Sequence, residues 1–148
     1  MIRQDIITAF KDSFKKIATA NGYSTDAGNK ISEWRSLNVA EDEPDFINIE
    51  DPNCTKVKPA EWNDNTDEEI EYKKLTLNIS SVTNGKECNE QIRKIRSDIL
   101  RAIGETKSAL IDKIEYEDDF TEFNFERKRQ AGTIITIYVY YYCPKWTE

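Results

Sequence analysis

Two acidic runs hold enough oxygen ligands to interest a hard cation: Asp64, Asp67, Glu68 and Glu69, and Glu115, Glu117, Asp118 and Asp119. The first has alternating oxygen ligands but lacks the glycine and distal glutamate of an EF-hand loop. Solvated acidic loops are therefore the simpler reading of both, and no metal is expected. The chain has no histidine, which removes the commonest general base, the Ser-His and Cys-His nucleophilic pairs and zinc sites built on imidazole. Three dispersed cysteines, Cys54, Cys88 and Cys143, lack CxxC spacing and are read as reduced thiols of a cytoplasmic protein rather than a zinc or iron–sulfur site. No GxGxxG or GxxxxGK[ST] run is present, so no phosphate cradle is expected. The residues predict neither an enzyme nor a cofactor.

Charge is the next candidate for function. Between Glu41 and Glu71 there are 12 acids and 2 lysines, although the whole chain carries a net charge of only −7. The rest is near neutral to basic, which suits neither broad phosphate neutralisation nor specific nucleic-acid binding. Arg127, Lys128 and Arg129 form a basic turn beside aromatic residues. A solvated turn explains them, as a solvated loop explains the acids; the functional alternative is that the two regions dock on each other across subunits.

The elements that must position these groups follow from periodicity. Residues 2–20 read as an amphipathic helix, with Ile6, Ile7, Phe10, Phe14 and Ile17 at spacings of three and four, stopped by Asn21-Gly22. Asp26, Gly28 and Asn29 mark a turn into a short strand over 30–35, and Phe46, Ile47 and Ile49 make a second strand ended by Asp51-Pro52. A loop from Pro52 to Asp67 carries Trp62, either a local anchor or an interface plug. Glu69 to Ser81 is a third strand, with Leu75, Leu77 and Ile79 on one face. Ile70 and Tyr72 have the opposite phase, which predicts a bulge near Lys73. A second helix runs over 86–103, with Cys88, Ile92, Ile95, Ile99, Ala102 and Ile103 on one stripe and Gly104 as its cap. Leu110–Tyr116 and Thr121–Glu126 read as strands interrupted by Glu117-Asp118-Asp119. The turn from Arg127 to Gly132 then leads into a last strand, paired antiparallel with them. The acidic early residues of the first helix argue against a secretory signal, and no apolar run approaches the roughly 20 residues a membrane span needs.

That last strand, Ala131 to Tyr142, organises the rest. One face carries Thr133, Ile135, Ile137, Val139 and Tyr141, the other Ile134, Thr136, Tyr138, Tyr140 and Tyr142. β-Branched and aromatic residues suit a pleated surface, and neither face is polar enough to be simply solvated. The strand must be central, covered or part of an assembly. The expected fold is α+β: one domain over 1–148, with a largely antiparallel sheet of about five strands, two amphipathic helices packed on one face and a long acidic loop near 52–68.

The layout resembles that of tail terminator (tail completion) proteins of long-tailed bacteriophages and their prophage relatives. The resemblance rests on a first helix ending in Asn21-Gly22-Tyr23 and on Thr25-Asp26-Ala27-Gly28 leading into the Ile31–Arg35 strand. It continues through Glu43-Pro44-Asp45-Phe46-Ile47-Asn48-Ile49 and a closing Ile-Thr-Ile-Tyr-Val-Tyr-Tyr strand. It implies a structural virion protein without catalysis, a ring, commonly a hexamer, that ends tail-tube polymerisation and joins the head. The implied partners are copies of itself, the tail tube protein and a head-completion or connector protein; the implied location is the virion tail, after assembly in the host cytoplasm. No membrane partner is expected. On this reading Tyr138, Tyr140 and Tyr142 face neighbouring subunits, and Arg127, Lys128 and Arg129 meet the region of Trp62, Asp64, Asp67 and Glu68 across subunits. The rival from another class is a monomeric adaptor or inhibitor that binds one protein through its acidic region.

Overall fold

The computed structural model describes residues 1–59, 69–124 and 129–147. Its elements in chain order are α1 (Ile2–Phe14), β1 (Ile31–Glu33), β2 (Ile47–Val57), β3 (Ile70–Asn84), α2 (Cys88–Glu105), β4 (Lys113–Asn124) and β5 (Gln130–Pro144). The five strands form one sheet in the order β1-β2-β3-β5-β4, with β1 parallel to β2 and every other pairing antiparallel. This is the expected α+β fold. β5 lies inside the sheet, where its backbone is paired on both sides, which removes the hazard of an apolar edge.

The alternation in β5 sorts its side chains as the sequence predicts. Ala131, Thr133, Ile135, Ile137, Val139, Tyr141 and Cys143 are buried, together with Leu75, Leu77 and Ile79 of the neighbouring strand. The stripe of α2 and the apolar residues of α1 join the same core. Fully burying one such aliphatic or aromatic side chain contributes roughly 2 kcal/mol, so this seam is what holds helices and sheet together.

Several boundaries differ from expectation. α1 stops at Phe14 rather than near Ala20, and Gly22, with φ 83° in the left-handed region, closes a short 3-10 turn over Thr19–Asn21. The turn is held from outside the helix: Asp26 Oδ1 accepts the Thr19 backbone N–H at 2.8 Å, and Ile17 O accepts the Gly28 N–H at 3.0 Å. Ile17 nevertheless reaches the core and is fully buried. Asp51-Pro52 does not end β2. The register against β3 slips between Glu50 and Asn53, and this irregularity lets the strand pass a residue that has no N–H to give. The predicted loop therefore begins after Val57. Conversely, β3 has no bulge near Lys73, because its register with β5 is unbroken from Ile70↔Pro144 to Asn84↔Gln130. Gly104 lies inside the last turn of α2, and Thr106 follows the helix, its hydroxyl donating to Ala102 O at 2.8 Å. Glu117-Asp118-Asp119 does not interrupt a strand; β4 runs through it with a shift between Tyr116 and Asp118. Gln130, Ala131 and Gly132 belong to β5, not to a turn.

On the helix side of the sheet, Arg96 of α2 grips Asp119 of β4 with two charge-assisted bonds, 2.8 and 2.7 Å long, and the Tyr116 hydroxyl donates to the same carboxylate. The Arg96 and Tyr116 hydrogen bonds hold Asp119 well below its ordinary 3.8, at about 2. A carboxylate held low stabilises the fold above its ordinary pKa and loses that contribution as pH falls through the lowered one. The stability difference between wild type and Arg96→Ala, measured by urea unfolding, should therefore be widest above pH 5 and narrow steadily toward pH 2. A difference independent of pH would show that the pair is not the source.

Candidate functional site

Both helices cover the same side of the sheet, and the site expected from the sequence lies on the other. There the residues alternate out of phase with the core: Tyr72 and Lys74 from β3, Tyr138, Tyr140 and Tyr142 from β5, and Lys113 and Glu115 from β4 share one end of the face. Tyr72 is directly opposite Tyr142, with ring centroids 4.5 Å apart, and 5.7 Å from Tyr140. Such cross-strand aromatic contacts are each worth roughly 0.5–1 kcal/mol. They explain why Tyr72, whose phase in the sequence suggested a bulge, is buried on a face no helix covers.

The cluster is pinned by charge. Tyr72 donates to Asp112 Oδ2 at 2.6 Å. The Lys74 ammonium sits 3.8 Å above the Tyr138 ring and that of Lys113 4.5 Å from Tyr140, positions favoured by the negative face of an aromatic ring. Tyr140 points its hydroxyl at Glu115 Oε1, 3.4 Å away. Its burial and the Glu115 charge push that hydroxyl above its ordinary value, so the ring is neutral at physiological pH. Outward of this pinned layer the surface stays apolar: Tyr142 is 37% exposed, Ile70 41% and Trp146, just beyond β5, 90%. Rigid aromatic rings with accessible edges can pack against another protein surface at low entropic cost.

The opposite end of the same face is partly roofed. The connection between β1 and β2 crosses it, and Val39 and Phe46 pack on Val82 in a second small core with Leu37 at its side. The Arg35 guanidinium lies 3.9 Å from the Phe46 ring centroid. It also meets Glu43 at 2.6 Å while Lys30 meets the same carboxylate at 2.8 Å. These two cations hold Glu43 at about 2. No sequence period announces this roof, because it is irregular backbone anchored by single residues.

Of the residues expected at an interface, Tyr138 and Tyr140 are half-buried and Tyr142 is exposed, all on the helix-free face. Trp62, Asp64, Asp67, Glu68, Arg127 and Lys128 lie outside the described residues. Arg129 lines one cavity with Glu41, Asn84, Gly85 and Lys86 of its own chain, so Arg129 and Glu41, at the start of the acidic region, are neighbours within one subunit. Other acids of that region are engaged internally: Asp45 by Thr83 and Gln91, Asp51 by Arg3 and Trp34, Glu71 by Lys56 and Lys73. Sequence reasoning missed Tyr72, Lys74, Lys113 and Asp112. The out-of-phase Tyr72 was the available signal, since a phase change also results when the second face of a strand acquires its own apolar partners.

Among the described residues no three Cys, Asp or Glu side chains gather as a metal site, and no helix is long and apolar enough to cross a membrane. No disulfide joins Cys54, Cys88 and Cys143, and Cys54 Sγ lies 3.5 Å from the Tyr141 hydroxyl. No protein-family model and no curated protein matches the chain. Among solved structures the chain is similar to the type 4 fimbrial biogenesis protein PilO from Pseudomonas aeruginosa, at 13% identity and a TM-score of 0.31. The match covers 64% of this chain and 58% of that one. At that TM-score the likeness carries no argument about function.

Proposed function

We propose that this chain is a non-enzymatic structural protein that assembles with copies of itself through the helix-free face of its sheet, as a ring of the tail terminator kind. The carrying observation is the one-sided cover. Two helices bury one face, while the other bears a pinned tyrosine cluster whose outer rim, Tyr142 and Ile70, is exposed. Patches of this kind on a charged protein mark contact surfaces. The order helix, three strands, helix, two strands is the layout on which the resemblance rests.

Light scattering coupled to size exclusion tests it. The expected result is a closed oligomer, a hexamer by the resemblance, whose mass does not grow with concentration. Combining Ile70→Asp with Tyr142→Asp should return the protein to monomer. Both side chains are exposed, and Tyr142→Asp also removes its ring contact with Tyr72, so the urea midpoint of the monomer should shift by no more than the equivalent of about 2 kcal/mol. A wild-type protein that stays strictly monomeric at high concentration and low salt would overturn the assembly reading. If an oligomer forms, adding it to a polymerising tail tube protein should shorten the tubes, and tubes of unchanged length would remove the terminator role.

A further inference from the structure

Three basic residues of this chain each contact both an aromatic ring and a carboxylate. The Arg35 guanidinium is 3.9 Å from the Phe46 ring centroid and 2.6 Å from Glu43. Arg101 is 4.2 Å from the Tyr23 ring and 3.1 Å from Glu105, and Lys113 is 4.5 Å from the Tyr140 ring and 3.6 Å from Glu115. The negative face of a ring and a nearby carboxylate attract the same cation. Phe120 and Glu122 make a further pair of this type. They pair with Ile134 and Gly132 of β5, so both stand on the helix-free face, and both line a cleft of about 270 Å³. Leu37, Val82 and Ile134 give that cleft its apolar walls, and the Phe120 ring is 60% exposed. No lysine or arginine lines the cleft, and among the described residues no basic side chain meets Phe120 or Glu122.

The cleft suits one side chain rather than a larger ligand, since its volume falls below the roughly 300–1,000 Å³ of small-molecule sites. Arginine has the matching make-up. Its methylene stem packs on apolar walls, and its planar guanidinium stacks on rings and bonds carboxylates. Gly132, between Val82 and Glu122 in the sheet, leaves the floor open. A Cβ there would meet only Ser81 O at 3.6 Å and Val82 Cγ2 at 3.7 Å. A second copy of the chain has little to insert, because Arg3, Arg35, Arg93, Arg96 and Arg101 are engaged within their own subunit. Arg129 is what remains among the described arginines. We propose that this cleft receives an arginine side chain of a different partner protein, its guanidinium on Phe120 and against Glu122, its stem along Leu37 and Ile134. The inference stands without ring formation, because one subunit carries the whole cleft.

The probe is N-acetyl-arginine methylamide, titrated into the isotope-labelled full chain and followed by amide NMR shifts. Saturable shifts should centre on Phe120, Gly132 and Ile134, with a dissociation constant on the order of 1 mM, as befits one small contact. The citrulline derivative keeps the shape without the charge and should bind about fivefold more weakly or worse. Glu122→Gln and Phe120→Leu should weaken the arginine probe by a similar factor. Gly132→Val fills the floor while keeping Phe120 and Glu122, and it should abolish the shifts with the unfolding midpoint retained. Equal binding of the citrulline derivative would overturn the proposal, as would shifts that survive Gly132→Val or no saturable shift at these amides. Movement of the same amides with protein concentration alone, lost in Arg129→Ala, would make a second copy the occupant and overturn the assignment to another partner.

Discussion

Replacing Gly28 with alanine should destabilise this fold by about 3 kcal/mol or more, the upper end of what overpacking a close-packed site costs. The reason is a near collision of two backbone segments. A Cβ at position 28 would lie 2.2 Å from Phe14 O, 2.6 Å from Ile17 O and 2.9 Å from Ile17 N. All three are main-chain atoms of the last residue of α1 or of the turn just after it, so no side chain can swing aside to make room. Relief would require the 23–29 segment to lift off the helix end, breaking the Gly28 N–H bond to Ile17 O and loosening Ala27, which is fully buried. Thermal or urea unfolding of Gly28→Ala against wild type checks this. A loss below about 1 kcal/mol, the ordinary scatter of point substitutions, would show that the two segments are not in fact so tightly opposed.

Asp98→Ala should cost a comparable amount, about 3 kcal/mol, by leaving buried donors without an acceptor. Asp98 projects from α2 and is only 4% exposed. Its Oδ1 accepts the Ser24 N–H at 3.1 Å, and its Oδ2 accepts both the Thr25 N–H and the Thr25 hydroxyl at 2.8 Å. One carboxylate thus ties the second helix to the same 23–29 segment that Gly28 presses on the first. Asp98→Asn separates charge from shape. The amide oxygen can replace Oδ2, but the amide NH2 then faces the Ser24 N–H, donor against donor. Roughly half the loss should remain in that variant. Equal stability of Asp98→Asn and wild type, measured by chemical unfolding, would mean that the negative charge contributes nothing.

These two residues also mark where the sequence was legible and where it was not. The spacing of Ile6, Phe10 and Phe14, the stripe on α2 and the alternation in β5 announce themselves, because burial repeats with the period of the element. Asp26, Gly28 and Asn29 read correctly as a turn, but nothing in one sequence says that the turn closes over the end of a helix, so the need for glycine was hidden. Asp98 looked like any surface acid in a helix, since its partners lie more than seventy positions away. The Asp51-Pro52 break was misread because proline argues locally against a strand, whereas a register slip resolves the conflict in three dimensions. For the site, β5 showed its tyrosine face plainly. Its partners Tyr72, Lys74, Lys113 and Asp112 become neighbours only once the strand order β3-β5-β4 is known.

That strand order has a kinetic consequence. β3 and β5 share the longest ladder of the sheet, yet even their nearest partners, Asn84 and Gln130, stand 46 positions apart. Loop closure over that distance is an entropic debt that local turns cannot reduce, and non-local pairing of this kind slows folding. During synthesis at about 5–20 residues per second, β3 emerges first, with Leu75, Leu77 and Ile79 uncovered and no antiparallel mate to its other side. It has to wait while α2 and β4 are made. The chain therefore passes through an interval in which β3, with one buried face, is a half-finished template, and the arrival of Ile135, Ile137 and Val139 is the event that ends this exposure.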